Sequence, residues 1–115
     1  MHELSLAQGL LRQVSALAEE HGARRVLRVR VAIGPLSGVV VDSFAFGFEA
    51  LSGDSPVTRD ASLELETPLP TYVCMKCGTN HEACAARPEA CRQCQGDCLM
   101  PRGGDDILLV QVEME

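Results

Sequence analysis

Residues 74–77 read Cys-Met-Lys-Cys and residues 91–94 read Cys-Arg-Gln-Cys, with thirteen residues between the two pairs. Two residues between paired cysteines let the chain turn back so that both sulfurs face one ion, and Gly78 or Gly96 allows the turn a positive φ. This spacing is typical of a zinc ribbon with knuckles of the rubredoxin type. It predicts a closed, structural Zn²⁺ site, with no open position for a substrate, whose ligands are Cys74, Cys77, Cys91 and Cys94. An iron site or unrelated free thiols are the alternatives.

Two further cysteines, Cys84 and Cys98, lie in the same segment. Cys84 or Cys98 could replace a zinc ligand, since Cys94-x3-Cys98 is also a feasible pair, or the two could form a disulfide with each other under oxidising conditions. His81 is another nearby donor. The paired x2 knuckles have the better geometry for zinc, so we expect these three residues to lie outside the zinc shell.

The segment from Thr71 to Gly104 contains all six cysteines and almost no apolar periodicity. Apolar and polar residues alternate on both sides of it, in Ser62–Glu66 and in Leu108–Met114, and again earlier in Leu27–Ile33. Such alternation is typical of half-buried strands. This alternation predicts the inward-facing residues of each strand. They are Leu27, Val29, Val31 and Ile33 in the first strand, Leu63 and Leu65 in the second, and Leu108, Val110, Val112 and Met114 in the third. The cysteine segment is therefore predicted to be inserted between two strands of a three-stranded sheet.

Two helices are predicted before the cysteine segment. Apolar residues recur at helical spacing from Leu4 to His21, and Gly22 ends that helix. Asp42 is the expected N-cap of a second helix, closed by Gly53, with Phe44, Phe48 and Leu51 at helical spacing. We therefore predict an α+β fold, with two helices on a three-stranded sheet and an inserted zinc-ribbon lobe. Residues 1–70 with 105–115 would form one lobe and residues 71–104 the other.

The chain begins Met1-His2-Glu3. With a histidine at position 2, the imidazole and the amide of His2 and the α-amine of Met1 can coordinate one metal ion in fused chelate rings. Planar nitrogen and oxygen donors of this kind select Ni(II) or Cu(II). The carboxylate of Glu3 is either a further ligand or an ordinary first-turn acid favoured by the helix dipole.

The charge balance excludes several classes of protein. Sixteen acidic against ten basic side chains give a formal charge of −6, which argues against nucleic acid as a partner. No apolar run is long enough to span a membrane, and no secretory signal is visible, so we expect a cytoplasmic protein whose cysteines bind metal. No enzyme is expected either. His2-Glu3 lacks the second histidine of a zincin, no Gly-rich phosphate loop is present, and a Cys84–His81 hydrolase pair would need unusual geometry.

The chain resembles the HypA/HybF family of hydrogenase maturation proteins over essentially its whole length. The segments that carry the resemblance are the opening Met-His-Glu-Leu-Ser-Leu-Ala-Gln, the turn Ile33–Val39, the helix Phe44–Leu51, the paired knuckles and the ending Val112–Glu115. It implies a nickel metallochaperone that works with a HypB-like GTPase to load Ni²⁺ into the large subunit of nickel–iron hydrogenase, and in some organisms into urease.

In such proteins nickel is held by the amino-terminal segment, which here is Met1 and His2 with Glu3 adjacent, and zinc by the four paired cysteines. We expect a monomer or a weak homodimer. The alternative function is a zinc-ribbon scaffold that binds proteins without transferring nickel.

Overall fold

The computed structural model describes residues 2–84 and 86–115. In chain order its elements are α1 (His2–Glu20), β1 (Val26–Ile33), α2 (Val41–Ser52), β2 (Ser62–Glu66), β3 (Thr71–Cys74), β4 (Asn80–His81), β5 (Leu99–Arg102) and β6 (Ile107–Met114). The predicted α+β fold is confirmed, with two helices, a three-stranded sheet and an inserted cysteine-rich lobe. Within the described ranges, neither helix is both long enough and apolar enough to cross a membrane.

The strands form two separate three-stranded sheets. In the first sheet the order is β2-β1-β6, with β1 parallel to β2 and antiparallel to β6. Parallel neighbours need a long crossover, and α2 supplies it between β1 and β2. In the second sheet the order is β4-β3-β5, with both pairs antiparallel. The second sheet lies entirely within the segment between β2 and β6.

One hydrophobic core joins α1, α2 and one face of the first sheet. The two helices pack against each other and share this core with β1, and the core is aliphatic apart from two phenylalanines. Its buried members are Ala7, Leu11, Val14, Ala18, Val26, Val29, Val31, Ile33, Phe44 and Phe48. The predicted inward positions of Phe44 and Phe48 are thereby confirmed, whereas Leu51 is only half-buried.

A β-bulge in β6 changes which of its residues face the core. Arg30 pairs with Gln111 and Val31 with Leu109, so Val110 has no partner on β1. Leu109 consequently packs against the core, whereas Leu108 and Val110 are 58% and 49% exposed. The expectation of one unbroken apolar face from Leu108 to Met114 was wrong.

A second irregularity lies at the start of β1. Val26 pairs with Met114 and Arg28 with Glu113, so Leu27 is skipped. Val26 is therefore buried in the core, whereas Leu27, the predicted inward residue, is only half-buried. A single extra residue reverses the faces of its neighbours because the side-chain period of a strand is two residues.

The helix ends differ from prediction at two points. Helix α1 begins at His2 and not at Leu4, so both His2 and Glu3 belong to its first turn. The N-cap of α2 is Val40, which makes no side-chain cap, and Asp42 lies within the first turn. A carboxylate there still interacts favourably with the helix dipole. Gly53 ends α2 as predicted.

The turn after β1 contacts the connection between the two sheets. The amide of Gly34 donates to the carbonyl of Asp106 (2.8 Å), and the amide of Leu36 donates to the carbonyl of Gly104 (2.7 Å). A Cβ on Gly34 would collide with that Gly104 carbonyl, and a Cβ on Gly104, which has φ +72°, would crowd Pro70. Glycine is therefore required where these segments cross.

We expect Gly34→Ala to lower the free energy of unfolding by about 1–3 kcal/mol, because the added methyl group forces the backbone apart. Chemical denaturation measures the loss. Gly9→Ala is the matched control, since a Cβ there meets nothing within 4 Å and Gly9 lies inside α1. That variant should gain about 0.5–1 kcal/mol. Equal effects of the two substitutions would show that the crossing is not tight.

Candidate metal sites

The four paired cysteines converge at one end of the second sheet. Cys74 ends β3, Cys77 follows in the turn to β4, and Cys91 and Cys94 lie in the loop between β4 and β5. Their four Sγ atoms all lie within 4.8 Å of one another. The Sγ atoms of Cys74 and Cys94 are 3.6 Å apart, as are those of Cys77 and Cys91. A tetrahedron with Zn–S bonds of about 2.3 Å has edges of about 3.8 Å, so this donor set fits a zinc ion.

The two knuckles share one backbone geometry. In each, the amide four residues after the first cysteine donates to that cysteine's carbonyl, from Gly78 to Cys74 and from Gln95 to Cys91, both at 2.8 Å. These donors have positive φ angles, +79° for Gly78 and +63° for Gln95. The second knuckle therefore places Gln95, and not the expected Gly96, in the left-handed region. A Cβ on Gly96 would crowd the Sγ of Cys94 and would push the flexible Lys76 side chain aside.

Gln95→Gly is expected to stabilise the ribbon by up to about 1 kcal/mol. A non-glycine residue in the left-handed region costs roughly 1–2 kcal/mol, which exceeds the entropic cost of glycine. Thermal unfolding of the zinc-loaded protein measures the gain. Gln93→Gly, at a neighbouring position without a positive φ, should give no gain; a similar gain there would contradict the explanation.

The Cys77 and Cys94 thiols differ in pKa because their hydrogen-bond partners differ. The hydroxyl of Thr79, 3.0 Å from Sγ, lowers the pKa of Cys77 to about 6. The amide of Gly96 lowers the pKa of Cys94, but the neighbouring thiols of Cys74 and Cys77, together with burial, outweigh it and raise the value to about 11. Metal binding requires all four thiolates. An ion would therefore have to displace the proton of the Cys94 thiol.

The remaining cysteines lie at opposite ends of β3. The amide of Cys84 donates to the carbonyl of Pro70 (3.2 Å), whereas the carbonyl of Cys98 accepts from Met75 (2.8 Å). Neither thiol belongs to the four-cysteine group. This placement does not favour a Cys84–Cys98 disulfide, nor does it bring Cys98 into the metal shell.

His81 also lies outside the thiolate group. It pairs with Tyr72 across β3 and β4 and is only 8% exposed. Its Nε2 has no hydrogen-bond partner among residues 2–84 and 86–115. The thiol of Cys84 donates to the carbonyl of Ala86 (3.1 Å) and not to this imidazole. The structure therefore does not supply the contact that a Cys–His hydrolase pair requires.

The amino-terminal candidates sit at the exposed beginning of α1. Met1 lies outside the described residues; His2 is exposed, and Glu3 is half-buried. An Oε atom of Glu3 accepts a hydrogen bond from the amide of Val40 (3.3 Å). This hydrogen bond has the largest effect in lowering the pKa of Glu3, and a second one from the amide of Glu3 itself lowers it further. The carboxylate therefore stays charged. Glu3 thus links the start of α1 to the residue that precedes α2.

An apolar hollow of about 340 Å³ opens beside this terminus, lined by Glu3, Leu4, Asp42, Ser43, Phe46 and Gly47. Phe46 is 74% exposed, although the other two phenylalanines are buried. Its exposure was not predicted. The signal was present, because Phe46 lies two residues from both Phe44 and Phe48 and so falls off their helical stripe.

Comparisons with known proteins agree over the full length of the chain. The family model described as "Hydrogenase/urease nickel incorporation, metallochaperone, hypA" matches residues 1–114. The chain is 36% identical to "Hydrogenase maturation factor HypA" of Azoarcus sp. (strain BH72), over 99% of this chain and 98% of the relative. It is 37% identical to the protein of the same name from Roseiflexus sp. (strain RS-1), over 100% of this chain and 93% of the relative.

Two solved structures have a similar fold. "Solution structure of the Ni metallochaperone HypA from Helicobacter pylori" matches with a TM-score of 0.69 and 25% identity, over 97% of this chain and 96% of that chain. "Solution structure of HypA protein" matches with a TM-score of 0.76 and 26% identity, over 100% and 97%.

Proposed function

Because the chain belongs to the HypA family of hydrogenase and urease nickel-incorporation metallochaperones, we propose that it binds Ni(II) through its free amino terminus and delivers it to nickel–iron hydrogenase. The ligands are the α-amine of Met1 and the amide and imidazole of His2, with Glu3 adjacent. The observation that carries this proposal is the position of His2, exposed as the first residue of α1. In organisms that make urease, the same site would serve that enzyme.

The beginning of α1 suits a deprotonated amide ligand. The first four N–H groups of a helix have no intrahelical partner, so the amide of His2 can lose its proton without breaking a helical hydrogen bond. The helix dipole places about half a positive charge there, which repels a cation. The amide anion and the charged Glu3 carboxylate offset that repulsion. The charged Glu3 side chain therefore supports nickel binding whether or not it is itself a ligand.

The second metal is proposed to be structural zinc, held by Cys74, Cys77, Cys91 and Cys94. Four thiolates in a tetrahedron favour zinc over nickel and leave no position for a reacting molecule. Zinc would fold the lobe of residues 71–104, whereas residues 1–70 and 105–115 would carry nickel. Neither site supplies a nucleophile and base in contact, so we propose that the protein is not an enzyme.

Delivery is proposed to occur in the cytoplasm, with a HypB-like GTPase and the hydrogenase large subunit as partners and with this protein as a monomer or weak homodimer. Three consecutive donor groups at an exposed chain end can be replaced one at a time. An acceptor can therefore take the ion by stepwise exchange without unfolding α1. Release of nickel from a buried site would require local unfolding of the protein first.

Transfer of radioactive nickel tests the proposal. The untagged protein is loaded with ⁶³Ni, mixed with nickel-free hydrogenase large subunit, GTP and the HypB-like GTPase, and the large subunit is then isolated and counted. We expect label in the large subunit from the wild-type protein and background counts from His2→Ala. Equal labelling by the two proteins would contradict the N-terminal route. No labelling by either, with normal partner binding, would favour the interaction scaffold.

A further inference from the structure

The two edges of the first sheet differ in how well they are protected against pairing with another strand. The β2 edge is five residues long, and its outward side chains include Glu64 and Glu66, which pair with arginines of β1. The β6 edge is eight residues long, or roughly 26 Å at about 3.3 Å per residue. Its first four residues, Ile107–Val110, are all apolar. Short, charged edges resist pairing with another strand, whereas long apolar edges invite it.

A groove runs between this edge and α1. One side is a stripe of α1 that includes Leu6, Leu10 and Leu17, all only half-buried. Two hollows lie along it. The first, of about 240 Å³, is lined in part by Leu6, Leu10, Ile107 and Leu109, and the second, of about 260 Å³, by Leu17, His21, Leu109, Val110, Gln111, Val112 and Met114.

The shape and polarity of the groove match an added strand. Alternate side chains of a strand beside β6 would point inward and fill these two hollows. The intervening side chains would pack on Leu108, which is 58% exposed. Within the described residues no strand occupies the outer edge of β6. The main-chain groups of that edge are thus free to pair.

Two acids at the start of β6 favour an occupant with a cationic end. Asp105 and Asp106 precede β6 and make no ion pair in the part of the chain that the structure describes. At the other end of β6, Glu115 is already paired with Arg25 (2.6 Å). The β6 strand of a second copy carries no lysine or arginine that could meet Asp105 and Asp106.

We propose that the β6 edge is a docking site for an extended segment of a partner protein, which joins the first sheet as a fourth strand. That segment carries apolar side chains at alternate positions and lysine or arginine at the end that lies beside Asp105 and Asp106. Main-chain hydrogen bonds supply affinity, and the two hollows and these two acids supply specificity. The site is separate from the amino terminus and does not depend on nickel.

A synthetic peptide of alternating valine and threonine, flanked by two lysines at each end, is the probe. Its binding to the full-length zinc-loaded protein is followed by amide NMR shifts and fluorescence anisotropy. We expect shifts in Ile107–Met114 and along the Leu6–His21 side of α1. Replacing the lysines by glutamates should weaken binding more than about tenfold, because glutamates would then meet Asp105 and Asp106.

Backbone N-methylation of the probe tests strand pairing directly. Only every second residue of an edge strand donates to its neighbour, so one peptide is methylated at the valines and another at the threonines. One of the two should lose more than about tenfold in affinity and the other should bind nearly as well as the parent. Equal losses, or none, would overturn the strand geometry.

Two variants with exposed substitutions complete the test. Leu108→Glu should weaken probe binding more than about tenfold, whereas Met100→Glu, a 50% exposed apolar position on β5, should not. Equal binding by both variants, or no binding by the wild-type protein, would overturn the proposal. A dimer in sedimentation experiments that Leu108→Glu abolishes would show that the occupant is a second copy, which also overturns it.

Discussion

Cys74→Ser is expected to unfold the ribbon and release its zinc. Cys74 is fully buried, and its Sγ lies 3.6 Å from that of Cys94. Structural zinc contributes on the order of 10 kcal/mol to the folding of small zinc modules, far more than β3, β4 and β5 can supply by packing. Metal analysis should find less than one zinc per chain, and amide exchange across residues 71–102 should become fast. The core of α1, α2 and β1 should stay protected.

Cys98→Ser is the matched control for this variant. Cys98 is exposed and lies outside the thiolate group. The zinc content and amide protection of the Cys98→Ser variant should therefore equal those of the wild type. Cys84→Ser should also be mild, since that thiol only packs against the edge of the ribbon core. Damage from Cys98→Ser comparable to that from Cys74→Ser would mean that the proposed ligand set is wrong.

His2→Ala is expected to abolish nickel binding and leave zinc in place. The substitution removes the imidazole, which closes the second chelate ring, and alanine is well tolerated in a helix. The nickel stoichiometry measured by titration should fall from one ion per chain to none. The thermal unfolding curve should be the same as that of the wild-type protein. Cu(II) should compete with nickel for the wild-type site, because copper stands higher in the stability order.

His21→Ala is the control for this second variant. His21 is also exposed and lies just beyond the other end of α1. It has no α-amine beside it, so its removal should not change the nickel stoichiometry. Loss of nickel from His21→Ala but not from His2→Ala would place the nickel site at the carboxyl-terminal end of α1 and would contradict the proposal.

The elements and their order could be predicted from the sequence because their signals are local. Helical spacing from Ala7 to Ala18, the alternation in Ser62–Glu66 and the Cys-x2-Cys pairs each depend on neighbours within a few residues. The four-cysteine group was found by the same kind of reasoning, since two short knuckles fix the sulfurs within each pair. The family resemblance rests on these same local segments.

What could not be predicted depends on contacts between distant segments. Strand order follows from where α2 crosses the sheet, and the faces of β6 depend on a bulge at Val110 opposite Arg30 and Val31. Gln95 occupies a left-handed position because the second knuckle repeats the backbone of the first, which its side chain does not signal. The contact of Glu3 with Val40 likewise joins residues far apart in the chain.

The most direct test of the proposed function is nickel binding by the untagged protein and by a form with a short glycine-serine extension before Met1. The extension converts the α-amine into an amide and carries the new amine too far from His2 to complete its chelate. Equilibrium dialysis followed by elemental analysis should find one nickel and one zinc per chain in the untagged protein, but zinc alone in the extended form. Equal nickel in both forms would contradict an amino-terminal nickel site.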